Sequence, residues 1–203
     1  MELSQRARIR AGDRACFGAV FDEHAPAVYR YAVRVTADRA GAEDVVSLTF
    51  LEAWRLRARL RPDGGSLLPW LYGIATNVLR NTARSARRHQ AALSRMPAAD
   101  RVPDFADDLV GRLADADALA AARAALSRLR PAERDVFTLC VWEGLDYAAA
   151  AEALGVPVGT VRSRLSRART RLRAYTNGRE PAGRTGQVQG GRADAARSTR
   201  EIG

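Results

Sequence analysis

The run PVGTVRSRLSRARTRLRAY, residues 157–175, leaves this chain little choice of fold. Val161, Leu165, Ala168 and Leu172 stand at i, i+4, i+7 and i+11, the repeat of a helix that buries one narrow stripe. The opposite side carries Gly159, Ser163, Ser166, Arg167 and Thr170, with Arg162 and Arg173 on its shoulder. No acidic residue interrupts the run. A solvated helix usually mixes signs so that i, i+4 pairs can form. This one offers only donors, as a phosphate-facing surface requires.

The segment before it, DYAAAAEALG at 146–155, predicts a short helix with Asp146 as its N-cap and Gly155 in the left-handed position that ends it. A helix, a glycine turn and a second helix with polar residues near its start form a helix-turn-helix. The second helix would lie in the major groove. Arg162, Ser163, Ser166 and Arg167 are then the candidate readers, because arginine bonds a guanine edge bidentately. The plainer alternative is an arginine-rich solvated helix that closes a bundle.

Charge supports the first option only through placement. The formal net charge is +10 over 203 residues, and every basic residue is arginine. Arginine with abundant alanine suggests a G+C-rich coding sequence, so arginine counts alone carry little. A strongly basic protein favours nucleic acid, or less specifically an anionic membrane surface. No apolar run approaches a membrane span, and MELSQRARIRAG has no apolar core of a secretion signal. Cys16 and Cys140 are far apart in apolar contexts, which predicts packing roles in a reducing cytosol. Two histidines and two cysteines in no ligand spacing predict no metal site. No cofactor is expected, and His24 and His89 sit in polar sequence as incidental residues.

The first half reads as four helices. Gly12 and Asp13 start one whose apolar side is Phe17, Val20 and Phe21. A second covers about 25–35 with Val28, Tyr31, Ala32 and Val35 inward, followed by a turn at 36–41. A third covers 42–60, with Val46, Phe50, Ala53 and Trp54 as core side and Glu43, Asp44 and Glu52 as an acidic edge. Residues 61–69 form a loop, on the strength of Asp-Gly-Gly and flanking proline. Pro69 opens a fourth helix, about 70–90, whose expected buried stripe is Leu71, Ile74, Ala75, Val78 and Thr82. Its far side carries Asn77, Asn81, Arg84 and Arg88, with Arg80 and Arg87 beside them.

Two roles fit that fourth helix equally when it is taken alone. Amides can read base edges, guanidiniums hold phosphates, and Trp70 can stack on an unpaired base. Equally, Asn77 can satisfy a buried backbone group and Trp70 can belong to the core.

Taken together, the motifs resemble the extracytoplasmic-function sigma factors, small promoter-specificity subunits of bacterial RNA polymerase. The resemblance rests on Ala42-Glu43-Asp44-Val45, Phe50, Ala53-Trp54 and PWLYGIATN at 69–77. In the second half it rests on LRPAERDVF at 129–137, Gly144-Leu145, Tyr147 and VPVGTVRSRLSRAR at 156–169. It implies an all-α protein of two small helical domains: a sigma region 2 bundle at 8–90 and a sigma region 4 helix-turn-helix at 118–175. A flexible acidic linker at 91–117 would join them, and a disordered tail at 176–203 would follow. The linker carries Asp100, Asp104, Asp107, Asp108, Asp115 and Asp117, with a short helix expected at 109–113.

The resemblance also assigns roles. The third helix, through Glu43, Asp44, Leu48 and Glu52, would dock on the clamp helices of the polymerase's largest subunit, and the second half on its flap. Asn77 and Asn81 fall where the family meets unpaired bases of the minus-ten element. Arg80, Arg84, Arg87 and Arg88 would accompany them on that DNA. Arg162, Ser163, Ser166 and Arg167 fall on the minus-thirty-five element. Partners are therefore core polymerase and promoter DNA, with an anti-sigma factor as a further candidate, all in the cytoplasm and without membrane insertion. Two positions depart from the family: Ser47 and Leu48 stand where it has Gln-Glu, and Ala149 where it favours glutamate. Stand-alone dimeric regulators can carry a similar helix-turn-helix, but would leave the 70–88 helix without a task. No phosphate loop or catalytic triad spacing supports an enzyme.

Overall fold

The computed structural model describes residues 3–93 and 124–176. The expected linker beyond Leu93, its short helix and acidic cluster, and the tail from 177 onward lie outside the described residues. Those described are helical, with no strand among them.

α1 spans Gln5–Arg10, a helix the sequence did not suggest; Ser4 caps it by accepting from the Ala7 amide at 3.2 Å. α2 spans Arg14–Thr36 and replaces the two helices expected there. Pro26 does not break it, because Pro26 and Asp22 both face solvent. The carbonyl deprived of its helical partner there can bond water. Asp13 caps α2 by accepting from the Cys16 amide at 2.9 Å. That bond, then the Arg8 guanidinium, holds the Asp13 carboxyl below the usual carboxylate range.

α3 spans Arg39–Leu56 and is capped by Asp38, which accepts from Gly41. It gives way to a tighter turn at Arg57–Arg59, so the regular helix stops short of residue 60. α4 spans Leu68–Leu93, longer at both ends than expected, and takes in the first residues assigned to the linker. Its buried set is also wider: Leu71 through Thr76 and Leu79 are buried, whereas Thr82 is exposed. α4 lies against α3, α2 and the second half, so more than one stripe is covered.

In the second half, residues 124–127 are helical, the described end of the helix expected at 119–129. α5 spans Pro131–Phe137 with proline at its first turn, as the sequence predicts. It runs on as a wider π turn, Thr138–Trp142, closed by the Glu143 amide on the Thr138 carbonyl at 3.1 Å. α6 spans Tyr147–Leu154 and α7 spans Val158–Thr176. Asp146 caps α6 by accepting from Ala149 at 2.7 Å, and Gly155 ends it at φ 62°, both as read from the sequence.

Two apolar centres, with a smaller third of Leu126, Leu129 and Ala168, organise the described residues. One joins α2, α3 and α4 through Val28, Tyr31, Val46, Phe50, Leu71 and Ala75, and it takes in Leu139 from the second half. The other joins α5, α6 and α7 through Val136, Ala150, Val161 and Leu165. Inside the first, Thr76 donates to the Tyr72 carbonyl at 2.7 Å, which leaves Tyr31 as the donor to Thr76 at 2.8 Å. Burial pushes the Tyr31 phenol up to about 12. His24, expected in a polar setting, is buried on α2. Cys16 is buried, Cys140 half-buried, and both are free thiols.

Thr49 of α3 is fully buried and its hydroxyl has no hydrogen-bond partner. An unmatched buried hydroxyl costs about 1–3 kcal/mol. Thr49→Val should therefore raise the melting temperature by a few degrees, at roughly 2–4 °C per kcal/mol. A fall in Tm on thermal unfolding would mean that the hydroxyl is satisfied after all.

Candidate nucleic-acid interface

The donor-rich side of α7 is built by burying its other side. Val161, Leu165 and Ala168 are buried and Leu172 is half-buried, so the stripe read from the sequence is the inward one. Arg162, Ser163, Ser166 and Arg167 are all exposed. Ser163 donates to the Thr160 carbonyl at 3.0 Å, which leaves its lone pairs outward. A buried glutamate on α5 anchors the helix from behind. Glu133 accepts from Arg171 at 2.6 Å and stands 3.6 Å from the Arg167 Nε. Arg167 keeps 57% of its side chain exposed, so this longer contact still leaves it open to an anion.

On α4, Asn77, Asn81, Arg84, Arg87 and Arg88 are exposed. The asparagines do not satisfy buried groups, which removes one alternative left by the sequence. Trp70 takes the other: it is half-buried and packs on the first core. Arg80 is set apart from the row. Its Nε donates to Asp135 Oδ2 of α5 at 2.8 Å, and its Nη2 makes a shorter bond to the same oxygen. Burial outweighs that guanidinium and leaves the Asp135 carboxyl above the usual carboxylate range. Between α4 and α5 runs a groove of about 700 Å³, with Arg84, Arg87 and Arg88 on one wall and Arg134 and Trp142 on the other.

A third surface lies on α2 and α3. Glu43 and Asp44 are exposed, and Glu52 is half-buried and pairs with Arg55 at 3.4 Å. Leu48 is 47% exposed and Leu51 is 64% exposed. Phe21, expected to face the core, is exposed too and packs on Phe50 at 4.8 Å between ring centroids. Large apolar side chains grouped on a surface mark a contact site more than single ones do.

The sequence pattern missed the acids behind these faces. Glu133 and Asp135 both belong to the LRPAERDVF motif, yet no periodicity shows which arginine each will meet. Arg167 and Arg171, four residues apart on α7, were the available sign of a shared anion. Gly73 was missed too: a methyl there would stand 2.9 Å from the Ala153 carbonyl carbon and closer still to its oxygen.

The Sigma-70 region 2 family matches residues 20–89, and the family "Sigma-70, region 4" matches residues 119–172. The two regions on one chain define a sigma-70-type RNA polymerase factor. Among its relatives is the ECF RNA polymerase sigma factor SigL of Mycobacterium tuberculosis, 35% identical over 166 residues, covering 80% of this chain and 90% of SigL. The RNA polymerase sigma factor CarQ of Myxococcus xanthus is 33% identical, covering 82% of this chain and 92% of CarQ. The fold is that of CnrH in its complex with the cytosolic domain of CnrY, at a TM-score of 0.61 and 25% identity, over 86% of this chain and 96% of CnrH. It also matches the sigma factor RpoE in complex with the anti-sigma factor NepR from Bartonella quintana. There the TM-score is 0.57 and the identity 26%, over 79% of this chain and 96% of that one. The chain belongs to the extracytoplasmic-function sigma factors of bacterial RNA polymerase. No helix among the described residues is long and apolar enough to cross a membrane.

Proposed function

We propose that this sigma factor reads its promoter with two helices and changes no covalent bond itself. Asn77 and Asn81 on α4 take unpaired bases of the minus-ten element, and Arg84, Arg87 and Arg88 take its phosphates. Arg80 joins them once Asp135 releases it. Arg162, Ser163, Ser166 and Arg167 on α7 read the minus-thirty-five element in the major groove. The observation that carries this reading is the pair of sidedness patterns: each helix buries an apolar stripe and turns an acid-free row of amides, hydroxyls and guanidiniums outward. The working units are the region 2 domain at 8–90 and the region 4 domain at 118–175.

Core polymerase docks on α3. Glu43, Asp44 and Glu52 supply the charged edge, and Leu48, with Phe21 and Leu51 beside it, supplies apolar contact where the family has a glutamate. The clamp helices of the largest subunit are the partner there, and the flap is the partner of the second half. The protein works in the cytoplasm, and an anti-sigma factor is a further partner, as NepR is in the solved complex of RpoE.

The test is run-off transcription with purified core polymerase on G+C-rich genomic fragments. Adding the chain should create new start sites, each preceded by common elements about 10 and 35 base pairs upstream. A chain that binds operators as a dimer without core enzyme, and yields no new starts with it, would be a stand-alone regulator instead.

A further inference from the structure

The loop between α3 and α4 takes its shape from α1. Residues 61–66 are exposed, while Leu60 and Leu67 at the two ends are buried in the first apolar centre. Between those ends no helix or strand bonds the backbone. α1 bonds it instead. Ser4, the α1 cap, donates to the Pro62 carbonyl at 3.0 Å, and Arg10 donates to the Leu60 carbonyl at 3.0 Å. Arg6 donates from Nε to the Gly65 carbonyl at 2.9 Å and from Nη2 to the Ser66 carbonyl at 2.7 Å. Ile9, fully buried, seats α1 on the same apolar centre. α1 lies ahead of residue 20, where the region 2 match begins.

Arg6 is the centre of this arrangement. Its side chain is 3% exposed, and Glu152 of α6 balances its charge at 3.0 Å. Each loop bond has both partners in the first half, so Glu152 is not needed to make them. A rigid planar fork fits two neighbouring carbonyls, whereas a lysine ammonium is a single point on a flexible stem. Gly64 completes the fit. It stands at φ 141°, and a methyl there would lie 3.1 Å from the Arg6 Cζ. With four carbonyls taken by α1, the backbone left open is richer in donors than in acceptors. Among the described residues, the amides of Asp63, Gly64, Gly65 and Ser66 have no backbone partner.

The loop stands at the head of the strand-capture row. α4 begins at Leu68, and Trp70, Asn77 and Asn81 share one stripe of it at i, i+7 and i+11. Asn77 is about 14 Å along the helix from Leu68 at 1.5 Å per residue. An unpaired strand that runs from Asn77 toward the start of α4 meets Trp70 and then the loop amides. Such donors suit base edges and phosphate oxygens. We propose that Arg6 is a positioning residue for minus-ten recognition. Through α1 it fixes the 61–66 loop in the shape whose amides meet unpaired bases. The inference rests on the strand-capture reading given under the proposed function.

The test compares full-length wild type, Arg6→Lys and Arg10→Ala. Arg6→Lys keeps the charge beside Glu152 and loses the fork. Arg10→Ala removes only the Leu60 bond and serves if the lysine variant does not fold. In the free proteins, cleavage before Asp63 by endoproteinase Asp-N should be several-fold faster for Arg6→Lys, at unchanged helical circular dichroism, because cleavage tracks the open population. Arg10→Ala should shift the same way by less. With core polymerase, the probe is single-stranded DNA with the non-template minus-ten sequence of a start site that wild type creates in run-off. Arg6→Lys should bind it about tenfold more weakly, as when about a tenth of the loops are competent. Its preference among the four bases at the most selective position should narrow by a similar factor. Unchanged cleavage in folded variants would overturn the proposal. So would faster cleavage with unchanged strand binding, or an equal weakening for all four bases. If wild type itself shows no base preference, the strand-capture reading fails and the proposal with it, while the cleavage still decides whether α1 braces the loop.

Discussion

Replacing Asn77 and Asn81 together by alanine should slow opening of a duplex promoter on the order of 100-fold. The same variant should use a template already unpaired at the minus-ten element with a much smaller loss. A paired amide contact to a base is worth about 1–3 kcal/mol, and two such contacts act only when the bases are out of the stack. Neither side chain is needed for the fold, since both are exposed on α4 and alanine is the better helix former. Circular dichroism should therefore be unchanged, which separates this defect from misfolding. Permanganate footprinting of the melted region, with transcript yield on both templates, measures the effect. An equal loss on the two templates would remove the asparagines from strand capture.

The second large effect is structural. Leu165→Ala should cost about 2–5 kcal/mol, because the side chain is 2% exposed in the small centre shared by α5, α6 and α7. Val136, Ala150, Ala151 and Val161 are the other buried members of that centre, and three of these four are alanine or sit on helices of eight residues or fewer. Phe137, Cys140, Leu145, Leu154 and Val156 border that centre but are only half-buried. Thermal unfolding should show an early transition, and use of minus-thirty-five-dependent promoters should disappear with it. Leu165→Met keeps the volume and should cost less than about 1.5 kcal/mol. Equal Tm values for the alanine variant and wild type would place α7 outside the packed core.

Much of this was legible one helix at a time. The inward stripe of α7, its N-terminal turn through Gly155 and the outward row of α4 follow from spacing, because side-chain direction within a helix repeats every 3.6 residues wherever that helix packs. Local signals failed where a second element intervened. Two prolines at helix starts were read correctly, but the two helices expected before residue 36 are one, and α2 runs on through Pro26 because its exposure makes the lost hydrogen bond tolerable. Phe21 was assigned to the core, yet α3 covers Phe17 and Val20 more fully and leaves Phe21 outside. Thr82 continued the stripe on paper, but the neighbours of α4 stop short of it.

By itself, the sequence determined that the chain is helical, which sides of α4 and α7 turn outward, and which family it joins. These are properties of short stretches and of their order. Only the tertiary structure decided which charges meet. Arg6 and Glu152 are 146 residues apart and Arg80 and Asp135 are 55 apart, and no periodicity couples such pairs. Their contact depends on how closely two packed halves approach, which Gly73 permits through the side chain it lacks.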